Sequence, residues 1–157
     1  MKSPSDQKSY TVKEATLKLM QFCAYRDRSQ KEVEEKLKDM RMIHAAREQI
    51  IIKLMHENFL NEERFARSFV RGKFRIKKWG RVKIKQELKA KEISSPLIKI
   101  ALTEIQEEDY LNTLSELAEK KALLIKEKDP YKRRNKLCNY LIQKGYESNL
   151  VFEFCSE

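Results

Sequence analysis

Twelve lysines and arginines stand between Arg64 and Lys91, and Glu87 is the only acid among them. The chain's other basic and acidic residues nearly cancel, so its net charge of +10 belongs to this one stretch. Charge that local calls for a local cause. At about 100° per residue, Arg64, Arg67, Arg71, Arg75 and Lys78 share one narrow face, with Phe65, Ala66, Phe69, Val70 and Ile76 broadly opposite. The expected object is a helix with a cationic ridge on one side and a buried apolar side. Arginine's planar fork suits phosphate and carboxylate oxygens. Lys85 and Lys89 carry the charge onto the following helix. The binding candidates are therefore Arg64, Arg67, Arg71, Arg75, Lys77, Lys78, Arg81, Lys85 and Lys89. An ordinary solvated face mixes its signs, and like charges at i, i+4 repel by a few tenths of a kcal/mol. Such a ridge is easier to understand with a partner, either nucleic-acid phosphates or an acidic protein groove. Trp79 lies inside the run. Core filling at a helix junction is the favoured role, with base stacking or interface anchoring as the alternative.

Nothing comparable points to bond-breaking chemistry. There is no Gly-rich phosphate loop, no His–carboxylate pair at metal spacing and no nucleophile elbow. His44 and His56 lack a partner cluster, and Cys23, Cys138 and Cys155 are scattered without a CxxC. That pattern predicts buried, reduced thiols rather than a zinc site or disulfide framework. Glu107, Glu108 and Asp109 read as the acidic first turn of a helix. The expectation is a binding protein, not an enzyme, with no cofactor.

Charged residues make up 37 % of the 157 and hydrophobic ones 41 %, too apolar for disorder and too polar for a membrane span. No apolar run approaches the ~20 residues a bilayer crossing needs. Lys2 and Lys8 enclose no apolar stretch, so the start is not read as a secretory signal. A cytoplasmic location without a membrane partner follows as the expectation. Gly and Pro number three each, too few for the turns of a β fold, so the class is all-α.

The elements that must position the ridge can be read in order. Val12, Ala15, Leu19 and Cys23, with Thr16 and Met20, form a first helical stripe ending near Arg26–Arg28. Ser29 and Glu32 make a capping box for a second helix carrying Val33 and Leu37. A third runs from about Ala45 to Asn58. Asn61 caps the ridge helix, and Trp79-Gly80 opens the fifth. Ser95 before Pro96, and Asp129 before Pro130, predict the starts of the sixth and eighth. The seventh spans about Glu107–Lys126, and Gly145 stops the eighth before a short ninth.

These helices repeat. Val33/Leu37, Ile84/Leu88 and Leu137/Leu141 occupy matching places, and Met42, Ile93 and Tyr146 follow five residues after each pair. Each unit is a long helix, a helix with the aliphatic pair, and a closing helix. The division read from this is a flexible lead at 1–10 and units at 11–60, 61–106 and 107–157. Units of about 50 residues can be strung into an elongated, curved body.

The segment Asn58-Phe59-Leu60-Asn61-Glu62-Glu63-Arg64-Phe65-Ala66-Arg67-Ser68-Phe69-Val70, continued by Gly80-Arg81-Val82-Lys83-Ile84-Lys85-Gln86-Glu87-Leu88-Lys89, resembles the signature of the RecX family of recombination regulators. Arg26, Ser29, Glu32 and Leu37 resemble its first repeat, and the likeness runs from about Lys13 to Phe154. The resemblance implies three tandem three-helix repeats. It implies a monomer that binds the groove of the RecA–DNA filament, with weak, non-specific contact to single-stranded or duplex DNA. It further implies inhibition of RecA's ATPase, strand exchange and co-protease activities, in DNA repair and the SOS response. The alternative from the residues alone is a helix-turn-helix-like module on duplex DNA. The chain departs from the family where glycine often ends the second helix of a repeat, having Arg41 and Glu92 and keeping only Gly145. Those two ends are expected to close differently. The family's frequent Asp-Asp is Asn61-Glu62 here, which keeps the cap with less charge.

Overall fold

A computed structural model of the chain describes residues 9–155; the expected lead lies, up to residue 8, outside them. Among the described residues there are nine helices and no strand. They are α1 (Val12–Tyr25), α2 (Gln30–Asp39), α3 (His44–His56), α4 (Glu62–Arg75), α5 (Arg81–Ala90), α6 (Ser95–Leu102), α7 (Glu107–Leu124), α8 (Pro130–Gln143) and α9 (Ser148–Cys155). The all-helical class and the succession of three-helix units are as the sequence predicts.

Most helix starts have a local cause. The side chains of Thr11, Ser29 and Asn61 accept the N–H groups of Glu14, Glu32 and Arg64 at 3.1, 3.2 and 2.9 Å. Each relieves one of the unpaired donors in a first turn. Two of the starts without a side-chain cap rest on proline. α6 begins at Ser95 itself, so Ser94 is the cap, and neither Ser94 nor Asp129 makes a side-chain cap bond. Pro96 and Pro130 supply those starts instead, because proline has no N–H to satisfy and its φ is already helical.

The second helix of every unit closes in one way. The N–H groups of Met42, Ile93 and Tyr146 donate to the carbonyls of Leu37, Leu88 and Leu141 at 3.0, 3.1 and 3.3 Å. The residue before each is left-handed, with φ of 60° at Arg41, 61° at Glu92 and 102° at Gly145. This is the six-to-one bond of a Schellman closure. The expectation that positions 41 and 92 close differently is thus corrected. A non-glycine residue there costs about 1–2 kcal/mol. The closure drives Ile93 to 4 % exposure, and burying such a side chain returns about 1.5–3 kcal/mol. Met42 likewise packs against the first unit's core. Packing of the residue after the turn outweighs the strain within it.

The buried side chains form two clusters. One holds Ala15, Leu19, Cys23, Val33, Leu37, Met40, Ile50, Ile51, Leu54 and Leu60 and stays within α1–α3 and the link to α4. The other runs without a break from Phe65 on α4 to Cys155 on α9. The second and third units therefore share a single core, centred on Tyr110 and Tyr146, whose rings lie 5.1 Å apart. Cys23, Cys138 and Cys155 are buried and free.

The junction of the second and third units is a backbone crossing. Gly80 N–H donates to Lys144 O at 2.8 Å and Val82 N–H to Gly145 O at 2.9 Å. A Cβ on Gly80 would lie 2.3 Å from the carbonyl carbon of Gly145, so this glycine is needed for proximity, not for its φ of −77°. Around the crossing, Arg81 pairs with Glu107 and with Glu147, the latter at 3.1 Å. Its guanidinium lies 3.8 Å over the Tyr110 ring. Tyr110 accepts the Arg81 N–H at 3.0 Å and donates to Glu147. Burial, then the bond to the Glu147 carboxylate, pushes the phenol of Tyr110 far above its usual range.

Candidate binding surface

The ridge arginines are on the face the spacing predicts, but they are not a row of free cations. Arg64 Nε meets Asp27 at 2.6 Å and its fork also reaches the carbonyls of Asn58 and Phe59. Arg67 and Arg71 both reach Glu104 at 3.1 Å, and Arg67 lies 3.6 Å from Glu63. The hydrogen bond from Arg67 is the leading cause holding the Glu104 carboxyl below its usual range. These arginines brace α4 against the first unit and against the turn after α6. The partners were out of reach of helical periodicity, since Asp27 and Glu104 each lie 37 residues away.

The far end of the ridge also differs from expectation. α4 stops at Arg75, and Lys78 sits in the following turn with φ 58°. Lys78 is therefore not a fifth member of a helical stripe. Ile76, expected on the buried side, is 78 % exposed. The turn is tied by the Trp79 N–H, which donates to Lys73 O at 3.1 Å. Once the helix ends, the 3.6-residue period no longer assigns faces.

What is left uncommitted lies at that turn and along α5. Arg75, Lys77, Lys78, Lys85 and Lys89 are all exposed, and among the described residues no carboxylate pairs with them. Lys85 and Lys89 project from one side of α5, four residues apart. Three more lysines join them that the ridge geometry did not single out. Lys73 and Lys83 hold their ammonium groups 4.8 and 4.4 Å from the centre of the Trp79 ring. Lys144 arrives from the third unit, its ammonium donating to Lys77 O at 3.2 Å. Tyr146 Oη donates to Lys78 O at 2.9 Å, so the third unit fixes the backbone of the cationic turn. Trp79 itself is half-buried and packs against the shared core, the favoured of its two expected roles.

Beside this turn a groove of about 280 Å³ separates the α1–α2 link from α4. Arg26 and Asp27 form one wall, and Phe65, Ser68, Phe69, Gly72, Lys73, Ile76 and Lys77 the rest. Among the described residues no group of His, Cys, Asp and Glu could hold a metal ion, and no helix is long and apolar enough to cross a membrane.

Models of the second and third three-helix domains of RecX match residues 61–102 and 107–155. The chain belongs to the RecX family. Similar proteins include the regulatory protein RecX of Clostridium perfringens strain 13, 34 % identical over 122 residues, covering 76 % of this chain and 57 % of the relative. That of Bacillus cytotoxicus is 27 % identical over 146 residues, covering 93 % of this chain and 54 % of the relative. The chain thus spans little more than half the length of these curated relatives. In fold it is similar to a crystal structure of regulatory protein RecX, with a TM-score of 0.84 over 98 % of this chain and 75 % of that one. It is similar also to RecX from Lactobacillus salivarius, with a TM-score of 0.83 over 92 % of this chain and 94 % of that one. In RecX terms, the exposed cations Arg75 to Lys89 belong to the second domain, and Lys144 reaches them from the third.

Proposed function

We propose that this RecX chain binds the RecA–DNA filament through the cationic face of its second domain and lowers RecA's ATPase and strand exchange. The observation that carries the reading is the set Arg75, Lys77, Lys78, Lys85 and Lys89, cations that no carboxylate of the described chain neutralises. A nucleoprotein filament offers what they lack, phosphates and acidic protein side chains, and Arg64, Arg67, Arg71 and Arg81 hold the helices that present them. The role is one of binding without catalysis, in the cytoplasm, where the filament forms. DNA alone is bound weakly and without sequence preference.

A titration of the purified chain into RecA hydrolysing ATP on single-stranded DNA tests this. ATP hydrolysis is expected to fall at or below equimolar chain. Replacing Arg75, Lys77 and Lys78 with Glu raises the half-inhibitory concentration at least about tenfold, without a change in helix content. An unaltered ATPase rate with the wild-type chain sinks the proposal. Tight, sequence-selective binding to one duplex that survives competitor DNA would favour a helix-turn-helix-like module in its place.

A further inference from the structure

Gly72 stands in the last turn of α4, yet nothing in the fold requires a glycine there. A Cβ built on it would meet no atom within 4 Å, and its φ is not among the left-handed ones. Glycine inside a helix is less favourable than alanine. The chain therefore keeps open a bare strip of helix on the floor of the groove beside Arg26 and Asp27. The flanks of the strip have two characters. Phe69 and Ile76 are apolar, and Ile76 is 78 % exposed. Lys73 and Lys77 supply positive charge, while the wall's one acid, Asp27, is already paired with Arg64 at 2.6 Å. Phosphodiester backbone would match the lysines and could approach the bare strip, but it would gain nothing from exposed Ile76. An acidic peptide with an aliphatic or aromatic side chain matches all three.

We propose that the Gly72 groove is a docking site for an acidic, apolar-tipped segment of the partner protein, seated against the bare strip between Lys73, Ile76 and Lys77. This rests on the filament reading above and assigns the groove to the filament's protein rather than its DNA. The bound segment buries Ile76, and its carboxylates meet Lys73 and Lys77 at the rim.

The test separates stability from binding. Gly72→Ala is expected to raise Tm by about 2–4 °C, since it adds helix propensity and touches nothing. Gly72→Gln fills the strip with a good helix former. It is expected to weaken binding to a RecA filament on single-stranded DNA roughly tenfold or more, with binding to the same oligonucleotide alone unchanged. Ile76→Ser, at an exposed site, gives the same pattern with the strip left open. If wild type binds the filament and Gly72→Gln and Ile76→Ser bind it equally well, the groove is not the docking site, and the filament reading stands. If Gly72→Gln loses filament and free oligonucleotide together, the groove is a nucleic-acid contact and the peptide assignment is wrong. If wild type binds the filament no more tightly than the oligonucleotide, the filament reading fails and this inference fails with it.

Discussion

The left-handed turns that close the second helices show how much conformational strain a single residue can carry here. Arg41 and Glu92 hold φ near +60° without glycine's freedom, and both are exposed. Arg41→Gly and Glu92→Gly are each expected to stabilise the chain by about 1 kcal/mol, seen as a rise in Tm of about 2–4 °C. No rise in either variant would mean that glycine's extra freedom in the unfolded chain cancels the relief. Gly80 is the opposite case. Its φ is ordinary, but its missing side chain lets two backbones touch, with the Gly145 carbonyl 2.3 Å from any added Cβ. Gly80→Ala is expected to cost about 3 kcal/mol and to lower the denaturant midpoint accordingly. A variant as stable as wild type would show that the crossing yields freely.

At the scale of elements, α4 separates what periodicity can convey from what it cannot. The order of the helices, the caps at Ser29 and Asn61 and the matched aliphatic pairs were legible because each is local or repeats. The faces of Arg64, Arg67 and Arg71 were legible too. Their partners were not, since spacing along a helix carries no information about an acid on another one, and Glu107 looked like no more than a favourable first-turn charge. The end of α4 at Arg75 was also hidden. Lys77 and Lys78 have no helix-breaking chemistry, and the turn, closed locally by the Trp79 N–H on Lys73 O, is held in addition by bonds from Lys144 and Tyr146, more than 60 residues on. Hence the ridge became a brace, and the exposed charge moved to its end and to α5. The same long-range bonds explain why Lys144 was absent from the candidates. Only the resemblance to RecX carried the partner, and that assignment remains a proposal with its own test.

Across the whole molecule, the two cores divide the chain unequally. From Phe65 to Cys155 the apolar cluster is continuous, whereas the first domain has its own. The named links across the boundary are polar: Arg64 to Asp27 at 2.6 Å, the Gln30 N–H to Glu62 at 3.4 Å, and the Lys31 ammonium to Ala90 O at 3.0 Å. Amide exchange is expected to show α4–α9 opening as one cooperative unit, with α1–α3 opening separately and at lower cost. Protection that rises and falls together over both parts would contradict this. The character of the joint also governs how the molecule deforms. Partly exposed ion pairs weaken as the Debye length shrinks, from about 10 Å at 0.1 M salt to about 3 Å at 1 M, while a shared apolar core does not. Ionic strength is then expected to act as a control on stiffness, with α4–α9 moving as one body and α1–α3 swinging more freely as salt weakens the Arg64–Asp27 pair.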